Sequence, residues 1–182
     1  FEFRYRIMMN TILESDRRFG VLLWDPVQGQ PARVGCCAEI IQYQRLPDDR
    51  MRVATLGQQR FRVLEYVREK PYKVGLVEWI EDNPPQKDLR PLAKEVEQLL
   101  RDVVRLSAKL TEQDIELPEN IPDLPTELSY WIASNLAGVA LEQQTLLEMQ
   151  DTAARLEREA EILKSTRNHL AARTVLKDTF EA

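Results

Sequence analysis

Histidine, cysteine and glycine are scarce in this sequence, and each scarcity removes a class of chemistry. The single histidine, His169, gives no basis for an imidazole metal cluster or a Ser-His-Asp arrangement. The only two cysteines, Cys36 and Cys37, are adjacent, and neighbouring cysteines form a strained disulfide at best. They offer no disulfide framework and fit a reducing compartment, the cytoplasm or, in a plant, the plastid. They read as two small side chains on opposite faces of a buried strand. Six glycines are present, but none falls in a phosphate-cradling G-x-x-x-x-G-K-[ST] pattern, so the sequence carries no ATP site. No apolar run is long enough to cross a bilayer, and no secretory signal is visible. The chain opens on Phe1 inside an amphipathic pattern and is read as starting within a longer protein. No cofactor, metal or membrane partner is expected.

Charge and periodicity divide the chain in two. Residues 1–80 hold 13 Lys/Arg against 10 Asp/Glu, net +3, and residues 81–182 hold 12 against 20, net −8. Neither half has the dense basic charge of a dedicated nucleic-acid binder. Tyr5, Met8, Met9, Ile12 and Leu13 recur at helical spacing and predict an opening helix. Strands are expected over Gly20–Trp24, Val34–Leu46, Met51–Leu56 and Tyr72–Ile80, with Gly35 at a bulge and Gly57 as a break. The Pro47-Asp48-Asp49-Arg50 turn predicts a hairpin. In Arg60-Phe61-Arg62-Val63 the arginines are expected to face water and Phe61 and Val63 the core. The expectation is an α+β chain. Residues 1–82 form an antiparallel β subdomain, 83–91 a Pro-rich linker, and 92–182 a helical subdomain.

In the helical half, Leu92–Lys109 reads as one helix. The segment 111–125, with Pro118, Pro122 and Pro125, reads as a loop packing Ile115, Leu117, Ile121 and Leu124. Thr126 is the expected cap of a helix running from Leu128 through Leu147, and Asp151 of the last helix. That last helix has a thin seam of Leu156, Ala160, Leu163 and Leu170. Its charged residues, Arg155 and Glu159 among them, are expected in water.

A search for catalytic pairs finds none. Ser107/Lys109 and Lys164/Ser165 are too close along a helix to face each other. Asp48-Asp49 and Glu81-Asp82 read as solvated acids without the burial that tunes a pKa. His169 reads as an exposed helix residue. What remains is a surface. Trp24, Tyr43, Tyr66, Tyr72 and Trp79 interleave with arginines in the β half. They are either core aromatics or the lining of an apolar groove with a basic rim. Tyr66, Tyr72 and Trp79 are the candidate contact residues for extended polypeptide.

Several segments, in order, resemble the Lon N-terminal (substrate-binding) domain family. They are Phe1-Glu2-Phe3-Arg4-Tyr5-Arg6, Asp16-Arg17-Arg18-Phe19-Gly20-Val21, Val34-Gly35-Cys36-Cys37-Ala38-Glu39-Ile40, the Leu46–Arg50 turn, Gly57-Gln58-Gln59-Arg60-Phe61-Arg62-Val63 and Glu69-Lys70-Pro71-Tyr72. Leu128-Ser129-Tyr130-Trp131-Ile132-Ala133 and Glu142–Glu148 continue the series. Phe3 stands where the family usually has Pro, and Asp49 where it often has Gly. The wording is most similar to the cyanobacterial and plastid type. The family's opening apolar strands, its ATPase domain and its Ser–Lys peptidase domain are not in this sequence. A β half without those opening strands is expected to leave an edge exposed.

The resemblance implies a PUA-like β pseudo-barrel followed by a helical bundle with a long C-terminal helix. It implies a non-catalytic role, recruiting unfolded or tagged polypeptides, with a protease or chaperone as partner. An RNA-binding module and a scaffold that self-associates through the last helix are the other two readings.

Overall fold

The computed structural model describes residues 3–47, 50–136 and 140–180. The chain divides into two units, Phe1–Glu81 and Asp82–Ala182. Among the described residues the architecture is α+β: an antiparallel four-stranded sheet, a two-stranded ribbon and five helices, the last one long.

Unit 1 opens with α1 (Phe3–Leu13). The helix ends where Arg17, at a left-handed φ of 60°, donates its N–H to the Ile12 carbonyl at 2.9 Å. Strands β1 (Arg18–Val21), β4 (Val34–Arg45), β5 (Met51–Arg68) and β6 (Val74–Ile80) form the sheet in the order β1-β4-β5-β6. Between β1 and β4, the two-residue strands β2 (Trp24–Asp25) and β3 (Gln30–Pro31) make a small ribbon. Asp25 shapes its turn, accepting from the Val27 and Gln28 amides at 2.8 and 3.1 Å.

The expected β4–β5 hairpin is present, with Arg45 opposite Met51. Asp48 and Asp49 of its turn lie outside the described residues. Gly57 does not interrupt β5, which runs 18 residues through it. The register shifts fall between Cys36 and Ala38 and between Ile40 and Gln42, not at Gly35, which pairs regularly with Phe61. Gly35 is needed for close approach: a Cβ there would lie 2.3 Å from the Val21 carbonyl oxygen. Arg60 departs from its expected place in water and is only 6% exposed. It lies on a central strand between Cys36 of β4 and Ile80 of β6, and Ile80 is itself buried. The long stem of an arginine can be covered in this way.

Unit 2 is built from α2 (Arg90–Thr111), α3 (Pro125–Asn135), α4 (Ala140–Glu148) and α5 (Thr152–Phe180). The α2 helix starts before its expected first residue and includes Pro91, whose missing N–H is harmless in a first turn. Leu124, not Thr126, occupies the cap position of α3, because Pro125 opens that helix. Thr126 instead shares a hydrogen bond with Thr152 Oγ1 at 3.1 Å. The single helix expected from Leu128 through Leu147 is two, since Leu136 turns extended at the end of α3. Asp151 caps α5, accepting from the Ala153 and Ala154 amides at 2.8 and 3.3 Å. In the 111–125 loop, Leu117 and Ile121 pack on the core, whereas Ile115 and Leu124 are exposed.

The core of unit 2 gathers Val96 and Leu99 from α2, Leu128 and Ile132 from α3, and Leu156 and Leu163 from α5. Fully burying each such side chain stabilises by about 1.5–3 kcal/mol. Beside it lies a polar cluster that the sequence reading placed in water. Arg155 has no exposure. Its Nη2 and Nη1 donate to Asp82 Oδ2 and Oδ1 at 2.5 and 3.2 Å, its Nη1 to the Met149 carbonyl at 2.9 Å, and its Nε to Ser129 Oγ at 2.7 Å. Asp82 also accepts from Tyr130 Oη at 2.8 Å and Thr152 Oγ1 at 3.0 Å. Each partner covers the polar groups of another, so the cluster can be buried without loose charges.

Candidate functional site

The sheet of unit 1 has a small core of Cys37, Phe61 and Val63, with Leu22, Tyr66 and Val77 packed against it. On the same side lies an open groove of about 550 Å³. Met8 and Ile12 of α1 contribute one wall, and Phe61, Val63 and Val77 line it from the sheet. Strand β5 supplies Tyr66, β6 supplies Trp79, and the β5–β6 connection supplies Tyr72. All three candidate contact residues therefore border one groove.

Their surroundings differ. Trp79 pairs with Phe61 across β5 and β6. Cross-strand partners share a face, and the two rings meet edge to face with centroids 6.4 Å apart. Phe61 is 4% exposed and Trp79 52%, so Phe61 is floor and Trp79 is accessible surface. Tyr66 lies opposite Gly75. A Cβ on Gly75 would meet the Tyr66 ring only in ordinary contact, 3.7 Å from Cδ1, and would press on the Glu65 carbonyl oxygen at 3.2 Å. The Lys73 ammonium stands 4.3 Å from the Tyr66 ring centroid and the Arg68 guanidinium 4.9 Å from that of Tyr72. Such cation–π contacts steady the rings and keep the cations close to the groove.

Acids balance the nearby cations. Of the cations that line the groove, Arg18 pairs with Glu39 at 3.3 Å and Lys73 with Glu69 at 3.4 Å. Both thiols are pushed above their ordinary pKa by burial, which leaves them poor nucleophiles. Among the described residues, no group of three or more His, Cys, Asp or Glu could hold a metal ion. The arrangement suits apolar contact with a polar border.

Sequence reading assigned Phe61 to the core but missed Met8, Ile12 and Leu22 as groove residues. Their helical or β spacing marks a buried face and does not show where that face is left open. Trp24 and Tyr43, grouped with the other aromatics in the sequence, are exposed and do not border this groove.

Residues 1–165 match the model of the ATP-dependent protease La (LON) substrate-binding domain. The chain belongs to this family. It is 31% identical over 148 residues to the Lon protease of Anaeromyxobacter dehalogenans, a match covering 80% of this chain and 17% of that protein. It is 30% identical to Lon protease 2 of Myxococcus xanthus, over 80% of this chain and 18% of the relative. The chain thus spans less than a fifth of the length of these relatives. The Lon N-terminal domain protein from Xanthomonas campestris superposes with a TM-score of 0.60 at 25% identity, covering 87% of this chain and 83% of that one. The N-terminal domain of Mycobacterium avium complex Lon protease shares the fold, with a TM-score of 0.64 at 17% identity over 92% and 87% of the two chains. The Lon substrate-binding domain is non-catalytic, and no helix among the described residues is long and apolar enough to cross a membrane.

Proposed function

We propose that this chain is the polypeptide-recruiting module of a Lon-type ATP-dependent proteolytic system. It takes extended apolar segments of unfolded or tagged proteins into the groove of unit 1, and ATP hydrolysis and peptide cleavage belong to partner domains. The observation that carries this reading is the meeting of Tyr66, Tyr72 and Trp79 at one open apolar groove in a member of a substrate-binding family. A half-exposed Trp and two Tyr side chains supply large contact area at small entropic cost. Ordering an unfolded client opposes binding, so dissociation constants in the micromolar range or weaker are expected. The setting is cytoplasmic, or plastid in a plant.

The RNA reading is weakened by the rim, where Arg18 and Lys73 each face a carboxylate. The scaffold reading is weakened because Leu156, Ala160 and Leu163 of α5 are buried within their own unit.

The test is fluorescence anisotropy of a labelled, reduced and alkylated unfolded protein against a labelled single-stranded RNA, across a salt series. The unfolded protein is expected to bind with little salt dependence, and Tyr72→Ala is expected to weaken that binding. Absence of binding to unfolded protein, with RNA binding that collapses as salt rises, would overturn the proposal.

A further inference from the structure

The helical unit encloses a carboxyl that recruitment of polypeptide does not use. Glu159 of α5 has no exposure. Its Oε1 accepts from Ser129 Oγ at 2.9 Å. Among the described residues Oε2 is buried without a hydrogen-bond partner.

The groups around it decide its charge. Arg155 is the cation beside it, and two of its nitrogens are already bound to the two oxygens of Asp82. That pair is neutral, so an ionised Glu159 adds an uncompensated negative charge to a dry interior, where such a charge is heavily penalised. The buried face of α2 is Ala93, Val96, Leu99 and Leu100, with nothing that titrates. From α3 come Ser129 and Tyr130, and the Tyr130 hydroxyl is given to Asp82. The other charges near α5 are engaged elsewhere: Arg158 with Glu142 and Glu161, and Lys164 with Glu95. A neutral Glu159 leaves only a carbonyl-like oxygen unpaired, a much smaller penalty than a bare carboxylate oxygen.

We infer that Glu159 is a proton-held latch: the packing of α3 on α5 forms around a neutral carboxyl and loosens when that proton leaves at mildly alkaline pH. Burial pushes the Glu159 carboxyl up to about 8, against an ordinary 4.5, with the Ser129 hydrogen bond and Arg155 pulling the other way. The folded unit therefore holds the proton to higher pH than the unfolded chain does. Stability from this group is full below the ordinary value, falls steadily as pH rises toward the folded value, and stays low above it. The switch is independent of the groove, so it stands or falls apart from the polypeptide-binding reading.

The test uses the whole chain and its Glu159→Gln variant, which keeps shape and a Ser129 partner but cannot ionise. Thermal melts and hydrogen exchange of α3 and α5 amides would be followed from about pH 6 to about pH 8.5, below the raised thiols, where protonation linkage predicts a slope. The wild type is expected to lose melting temperature and amide protection as pH rises. The variant is expected to show a shallower slope and to melt above the wild type at the alkaline end. Equal slopes would overturn the inference. Infrared spectroscopy gives a second reading on the wild type alone, which decides the matter if the variant does not fold. A protonated-acid carbonyl band at neutral pH that fades in alkali supports the latch, and its absence at neutral pH overturns it.

Discussion

Phe61 and Trp79 face each other across β5 and β6 with ring planes at 90°, yet one is floor and the other is open surface. Phe61 is also what Gly20 makes room for: a Cβ on Gly20 would lie 2.7 Å from Phe61 Cζ. The same aromatic pair thus joins the packing of the sheet to the proposed contact surface, and the two residues should separate experimentally.

Phe61→Ala is expected to destabilise unit 1 by about 3–5 kcal/mol, the usual loss for a buried aromatic. Trp79→Ala forfeits the edge-to-face contact and part of its buried area, roughly 0.5–1.5 kcal/mol, but removes the most exposed candidate contact. Urea denaturation and anisotropy with unfolded protein measure the two effects side by side. If Trp79→Ala binds like the wild type, Trp79 is no contact residue.

Glycine substitutions discriminate between steric and conformational roles. Gly35→Ala drives a methyl group against the Val21 carbonyl, and about 1–3 kcal/mol of destabilisation is expected from such overpacking. Gly57→Ala meets nothing nearer than the Cys36 sulfur at 3.7 Å and lies in a continuous strand. It should be neutral or stabilise by about 0.4–1 kcal/mol through the unfolded chain. Melting temperatures in the reverse order would refute the reading of Gly35 as a site of close approach.

The two periodicities were legible because they come from local geometry. Val96, Leu99, Leu100 and Val103 lie on one side of any helix, and Met51 follows a turn signal that permits few structures. The α+β class and the β4–β5 hairpin follow from that. The Arg155 cluster was not legible, because it is made by distance in sequence: Arg155 and Asp82 are 73 positions apart. A charged residue next to Leu156 looks solvated until its partner is known. The groove stands between these cases. Alternation marks the face that holds Phe61 and Val63, but Tyr66 joins it only past the register shift between Val63 and Glu65, and whether that face is covered depends on packing that no local pattern records.

Proteolysis tests the organisation of unit 2 and the proposed division of the chain. Asn83 donates its amide to the Gln150 carbonyl at 2.8 Å, and Asp82 is held by Arg155, so part of the Pro-rich segment is tied down. Gln113–Glu116 are exposed and outside any helix. First cuts are expected there, since exposed irregular segments are nicked first. Mass spectrometry of early fragments reads the answer, and initial cleavage inside β4 or β5 would contradict it.

The chain alone is expected to hydrolyse neither ATP nor casein, since no phosphate loop and no nucleophile paired with a base is present in its sequence. Turnover that copurifies with the chain through successive columns would contradict this.

The Arg155 cluster supplies the sharpest stability test. Arg155→Met removes the donors that Asp82, Ser129 and the Met149 carbonyl all use. Asp82 retains Tyr130 and Thr152, but loses the guanidinium bound to both its oxygens while its side chain is only 13% exposed. Breaking a buried pair in this way destabilises by about 3–5 kcal/mol, a large part of the roughly 5–15 kcal/mol that holds a typical domain. Asp82→Asn keeps one acceptor for Arg155, but loses the charge and turns the other acceptor into a donor that faces Arg155 and a hydroxyl. The double variant removes both charges, and about 1–3 kcal/mol of the single-variant loss should return, because neighbouring sites do not add. Urea titrations of the three proteins, followed by far-ultraviolet circular dichroism, give the coupling directly. If Arg155→Met and Asp82→Asn add without coupling, the pair is not the lock that fixes Asp82 to α5.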